Sequence, residues 1–290
     1  MTSESHSFSN GRYTARVAAL GAELCSLSDE TGRELVWNGS AWPRHSPVLF
    51  PIVGRLHDNH ALIDGLDYTL TQHGFARDRV FRWVERTPTG CVLVLEDDPT
   101  SRVLFPFAFS LTLSYSLDED GLHLRYDLAN PDSLSVLHAS LGAHPAFVWP
   151  FQPGTQKTDY VIDFEAPEPE SLAALSEGLI AEGESASPVI GARIQLDDSL
   201  FENDALILMH PASRSLRFHA EKGEALVFSW HGFEQLGLWM KPGSDFLCIE
   251  PWQGYASPVD FDGPFEQKPG LLHLQPGERW QAGWSVRLDT

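Results

Sequence analysis

The chain has 290 residues, 42% hydrophobic and 21% charged, with 40 acidic against 20 basic side chains and a net charge of −20. This length buries a sizeable core without disulfide staples, and so acidic a surface weighs against nucleic acid and anionic membranes as partners. Cys25, Cys91 and Cys248 are widely spaced among apolar residues, which excludes a disulfide framework or CxxC metal motif and predicts reduced core thiols.

The N-terminal text "MTSESHSFSNGRYTARV" has no basic segment followed by an apolar one. No apolar run approaches the roughly 20 residues of a membrane span, so a cytoplasmic protein is expected. "YTARVAAL" reads as the first clear strand, followed by turn signals at "SDETGREL" (28–35) and "DGLDY" (64–68). "CVLVLEDD" is a further strand. "SLTLSYSL" and "LHLRYDL", joined by "DEDG", read as an antiparallel hairpin with Leu111, Leu113, Tyr115 and Leu117 on one face. The stretch from Gln152 to about Leu196 is richer in Pro, Glu, Ser and Gly. Strand-like text flanks it on both sides, so it reads as an excursion from one domain spanning residues 1–290. Within it, only "ESLAALSEGLI" (170–180) has helical composition. "ALILMH", "SLRFHA", "ALVFSW", "FLCIE" and "WSVRL" complete the strand signals. Many short strands with few helices predict an all-β sandwich or closed barrel.

Four stretches place an ionisable residue beside Gly or Pro at an expected strand end: "PIVGRL" (51–56), "QHGFARD" (72–78), "GAHPAF" (142–147) and "CIEPWQG" (248–254). Strand ends on a rigid sheet are common homes for binding residues. Gly74 and Gly142 suggest unusual backbone angles or close approach, and Pro145 and Pro251 are expected to end the ladder after His144 and Glu250. Each residue also has a plainer reading. A lone His among apolar residues is ordinarily a hydrogen-bonded core residue. A lone Glu250 is ordinarily an ion-pair member with Arg55 as its natural partner. Trp42, Trp149, Trp230, Trp239 and Trp252 are ordinarily core.

No GxSxG elbow, P-loop, GxGxxG or HExxH appears. Two His and one Glu leave a 2-His-1-carboxylate metal site as the competing enzyme reading, with metal content as its discriminator. His57 and His60 flank an exposed-looking turn, and His231 in "WHGF" imitates "QHGF", either as a decoy or as a residue that supports the site from behind.

Together, "LFPIVGRL", "DGLDYTLTQHGFARD", "LGAHPAF", "LFENDALIL" and "CIEPWQG" resemble, in order, the aldose 1-epimerase (galactose mutarotase-like) superfamily, in particular its LacX-like bacterial branch. The resemblance implies a β-supersandwich of mainly antiparallel strands with the site on its concave face. It implies catalytic roles for Glu250, His144 and His73 and sugar contacts from Arg55, Arg77 and Asp204, with Asp197 and Asp198 as rivals to Asp204. Trp252 becomes a candidate pocket wall. No cofactor or metal is implied. The implied partner is a small aldose or sugar phosphate, the phosphate facing Arg77 and Arg79, and the implied reaction is interconversion of α- and β-anomers. A non-catalytic sugar-binding or sensor protein on the same fold is the remaining alternative, and neither the sugar nor the oligomeric state is legible.

Overall fold

Segments that alternate or run wholly apolar form the strands of two large sheets in a computed structural model that describes residues 4–169 and 171–289. The larger sheet has nine strands. Its centre is the predicted hairpin, Ser110–Asp118 with Gly121–Ala129, paired to the C-terminal strand Arg279–Asp289. Leu111, Leu113, Tyr115 and Leu117 are all buried, so the inward face of the hairpin is the predicted one. The smaller sheet has six strands, among them Leu206–Leu208, Gln235–Trp239, Phe246–Gln253 and Leu141–Ala143. Their ladders are antiparallel.

The two sheets share one apolar core, to which the larger contributes Phe218, Phe228, Trp230 and Trp284 and the smaller Leu236, Leu238, Leu247 and Ile249. Burying each such side chain contributes about 1.5–3 kcal/mol. Leu247 and Ile249 explain why "FLCIEPW" reads as unbroken apolar text. Odd-numbered residues face this core, while Phe246, Cys248, Glu250 and Trp252 point to the other face, which is also covered.

Pro251 does not end the ladder. The strand continues to Gln253, and Leu236 and Gln235 pair with Pro251 and Trp252. On its other side, pairing is interrupted between Cys248 and Trp252; Pro251 falls in that interruption, where its missing N–H costs least. Pro145 does mark a break, separating Leu141–Ala143 from Ala146–Val148.

Residues 171–180 are not helical. Ser171–Ser176 and Leu179–Ala186 form a β-hairpin, with Glu177 and Gly178 at φ 51° and 78° in the turn. Leu172 is buried in the main core, and Leu175 and Ile180 pack against Leu49, Val53, Ile207 and Trp252. This tertiary packing outweighs the helical propensity of Leu, Ala and Glu. The rest of the 152–196 stretch supplies Tyr160–Phe164 and Arg193–Gln195 to the nine-stranded sheet.

All three cysteines are buried and free. Among the described residues no helix is long and apolar enough to cross a membrane.

Candidate active site

The covered face of the six-stranded sheet carries a pocket of about 350 Å³ lined by residues that include His73, Arg77, His144, Asp204, Glu250 and Trp252. That size suits a small ligand. Trp42, Trp239, Gln72 and Gly178 complete its rim and walls.

Glu250 and His144 meet because of strand register. Gly142 pairs with Trp252 and Ala146 with Cys248, and the same register carried across the Pro145 break sets His144 opposite Glu250. His144 Nε2 lies 3.2 Å from Glu250 Oε2. The approach is misaligned for a hydrogen bond, so Glu250 Oε2 is buried without a hydrogen-bond partner, and the other ring nitrogen, His144 Nδ1, is buried without one as well. Glu250 is 1% exposed and His144 6%.

Burial pushes the Glu250 carboxyl well above its ordinary range; the negative charge of Asp204 adds to this, and the Trp252 indole opposes it. The indole nitrogen does not reach hydrogen-bond geometry. Burial likewise pushes His144 down to about 3, against the opposing pull of its own backbone carbonyl and with help from the positive charges of Arg77 and Arg44. The environment therefore favours an uncharged resting pair.

His73 is fixed by a reciprocal clamp. Its backbone N–H donates to Gly54 O at 2.8 Å, and the Gly54 N–H donates to His73 Nδ1 at 3.1 Å. This holds His73 at φ 65°, a left-handed conformation that costs about 1–2 kcal/mol for a residue with a Cβ. Burial lowers the His73 pKa well below normal, with His144, Arg77 and Arg44 adding repulsion. A neutral ring whose Nδ1 accepts must carry its proton on Nε2, which makes His73 a hydrogen-bond donor. Gly74 follows at φ 67°, and a Cβ there would sit 2.3 Å from the Phe50 carbonyl oxygen. Gly142 has ordinary backbone angles; it is small because a Cβ would meet the Trp252 ring at 2.7 Å.

The His73 and His144 rings lie 5.6 Å apart at 85°. On its other sides His144 meets Trp42 at 5.0 Å and Trp239 at 5.7 Å. Trp42 is placed by its loop: Glu23 Oε1 accepts the N–H groups of His45 and Ser46, and Trp37 Nε1 donates to the Trp42 carbonyl. From sequence, Trp42 and Trp239 read as core residues ahead of a sugar platform. An aromatic in a loop flanked by Pro43 and Arg44 was the available signal.

Arg77 lines the pocket, donating from Nη2 to Gln72 O at 2.6 Å, while its Nε is buried without a hydrogen bond and lies 3.9 Å from Asp78 Oδ2. Arg79 does not line it; its guanidinium donates to Thr100 instead. Asp204 faces the pocket, whereas Asp197 accepts the Ser199 N–H and Asp198 pairs with Lys157. Arg55 lies in an adjoining depression with Gln72, Glu177 and Asp204, and its Nη1 donates to the Glu177 carbonyl at the hairpin tip at 2.9 Å. It is not the ion-pair partner of Glu250. His231 is exposed, on the larger sheet, and His57 and His60 are exposed beside Asp58 and Asp67.

A buried Glu–His pair on a strand floor, a clamped second His and aromatic walls are an arrangement whose chemistry suits proton transfer on a small polar ligand. Chains of known kind share the architecture. Over 291 residues, 27% are identical to the chromosomal protein LacX of Lactococcus lactis subsp. lactis, covering 96% of this chain and 97% of that protein. A galactose mutarotase related enzyme from Lactobacillus acidophilus superposes with a TM-score of 0.89 at 28% identity, covering 99% and 98% of the two chains. A galactose mutarotase-like protein from Lactobacillus casei, 24% identical, has the same fold, with a TM-score of 0.90 over 99% of this chain and 100% of that one. The family model for aldose 1-epimerase matches residues 4–287, and with that match across its length the chain belongs to the aldose 1-epimerase family.

Proposed function

We propose that the protein interconverts the α- and β-anomers of an aldose, with Glu250 and His144 as the proton-transferring pair. The observation that carries this is their 3.2 Å approach on the pocket floor, both buried and neither committed to another partner. Such a pair has one proton that either group can hold. With that proton on Glu250 both groups are neutral, the form burial favours. With it on His144, Glu250 is a carboxylate base and His144 an imidazolium acid. The two forms differ by no proton, so a bound sugar whose hydroxyls stabilise the charges draws the pair into its reactive form without exchange with solvent.

In that form Glu250 takes the proton from the C1 hydroxyl and His144 gives one to the ring oxygen. The C1–O5 bond breaks to leave an open-chain aldehyde, the C1–C2 bond rotates, and the reverse transfers close the ring on the other face. The pair regains its starting proton, and no redox partner is needed. Positioned acid–base groups contribute about 10²–10⁴-fold each. His73, donating from Nε2, steadies the ring oxygen. Asp204 and Arg77 orient hydroxyls, Trp252 walls the pocket, and Trp42 and Trp239 offer apolar faces to the sugar ring. Arg55 acts from the rim through the hairpin tip.

A phosphorylated aldose is the second reading, favoured by the Arg77 guanidinium, a cation that lines the pocket. An NMR anomer-exchange screen over free and 6-phosphorylated aldoses tests both readings: exchange faster than the buffer rate for one class identifies the substrate. Saturable binding with no exchange in either class overturns catalysis and leaves a sugar sensor.

A further inference from the structure

We propose that His144, Cys248 and Glu250 form a binding site for a borderline or soft divalent cation of the zinc class, whose occupancy blocks the site to sugar. A ring nitrogen of His144, the Cys248 sulfur and a Glu250 carboxylate oxygen lie within 4.8 Å of one another, and all three residues are buried. Cys248 and Glu250 are two apart on one strand and therefore share its pocket-side face. The 3.2 Å between His144 Nε2 and Glu250 Oε2 is close to the edge separating two ligands of a tetrahedral zinc, roughly 3.3 Å for metal–ligand bonds of about 2.0–2.1 Å. The sulfur needs a shift of about 1 Å at most to complete a face with bonds of that class.

Two further observations point to a ligand there. Glu250 Oε2 is buried with no hydrogen-bond partner, so an incoming cation breaks no hydrogen bond to it. The sulfur's surroundings, Ala146, Phe246, Trp37, Trp42 and Trp239, are apolar, which excludes competing water. Charge also balances. A divalent cation held by a thiolate, a carboxylate and a neutral imidazole is a net-neutral centre, the form a low-dielectric site tolerates. Binding releases two protons, one from the Cys248 thiol and the one shared by the Glu250–His144 pair. Three protein ligands leave a fourth position open to water, and two of the three, His144 and Glu250, line the pocket. One sulfur, one nitrogen and one oxygen donor select zinc-class ions over magnesium or calcium, which require oxygen ligands. The net charge of −20 draws cations toward the surface.

The blocking half of this proposal rests on the anomer-exchange reading; the binding half does not, and the test separates them. Chelator-treated protein is titrated with Co²⁺ while the near-ultraviolet thiolate-to-cobalt band is followed, then Zn²⁺ is added. One equivalent of Co²⁺ is expected to produce the band and Zn²⁺ to abolish it. Cys248→Ser is expected to show no band, with Cys248→Ala as the second variant should the serine hydroxyl disturb folding. Both variants are expected to keep metal-free anomer exchange and to need at least tenfold more Zn²⁺ for half-inhibition, with EDTA restoring wild-type exchange and Mg²⁺ without effect. Absence of the band in the wild type, or its survival in both variants, overturns the site. A wild-type band that depends on Cys248 with exchange unaffected by Zn²⁺ overturns the blocking role alone. If no sugar is exchanged at all, the cobalt titration still decides whether the site binds metal.

Discussion

Lys268 shows how one buried group sets a measurable pH dependence away from the pocket. It is 2% exposed, donates from Nζ to the Tyr255 and Pro269 carbonyls at 2.5 and 3.2 Å, and lies 5.3 Å from the Tyr255 ring centre. Burial lowers its pKa from 10.5 to about 7. Between those values the unfolded chain binds a proton that the folded chain does not, so stability rises with pH across that window, by up to about 1.4 kcal/mol per pH unit, and is flat in this respect below it. Denaturant unfolding of wild type and Lys268→Met at several pH values is expected to show the stability difference shifting in favour of the wild type from pH 7 to 10; parallel curves contradict it. At the same scale, His231→Asn is expected to leave anomer exchange near the wild-type rate, because His231 lies on the larger sheet and lines no part of the active-site pocket. The local texts "WHGF" and "QHGF" read alike, and only the order of the surrounding motifs set His73 apart from His231 in sequence. The Gly54 clamp, made across 19 positions of sequence, separates them in space.

The hairpin Ser171–Ser176 with Leu179–Ala186 is the element whose role was least legible. Its Leu, Ala and Glu content has helical propensity, and the contacts that override it come from Val53, Ile207 and Trp252, far away in sequence. Its placement also changes the reading of Arg55. The guanidinium grips the hairpin tip at Glu177, and Ile180 exchanges backbone hydrogen bonds with Ser257 and Val259 on the opposite side. Arg55→Ala is therefore expected to raise the KM for sugar with little change in kcat and to speed hydrogen exchange of amides in residues 171–186. A raised KM with unchanged hairpin exchange assigns Arg55 to direct sugar contact instead. By contrast, the strand Phe246–Gln253 was plain in the sequence as an apolar run, and only its passage through Pro251 was hidden, because the gap between neighbouring strands that accommodates a proline is a tertiary feature.

At the scale of the molecule, apolar residues of both sheets belong to one continuous cluster that runs from Phe8 to Leu288. Unfolding is accordingly expected as a single calorimetric transition; two resolved transitions would show the sheets to be separately stable. The all-β architecture was legible because period-2 alternation and turn residues are local signals. The convergence of His73, His144 and Glu250 was legible through resemblance, since no local pattern reports that three distant stretches share one floor. Trp252 was legible the same way; the walls formed by Trp42 and Trp239 and Cys248 beneath the pair were not, because a buried tryptophan or cysteine looks the same in sequence whether or not a pocket lies beside it.

The central claim is that Glu250 is held buried for proton transfer rather than for stability. Its direct test is anomer exchange by NMR in wild type and Glu250→Gln, with the thermal midpoint of each protein measured alongside. Gln fills nearly the same space and removes an ionisable group from an apolar floor, so exchange is expected to fall by about 10²-fold or more while the midpoint stays level or rises. A Gln variant that exchanges anomers at the wild-type rate, or one that loses activity only because it unfolds, contradicts the account.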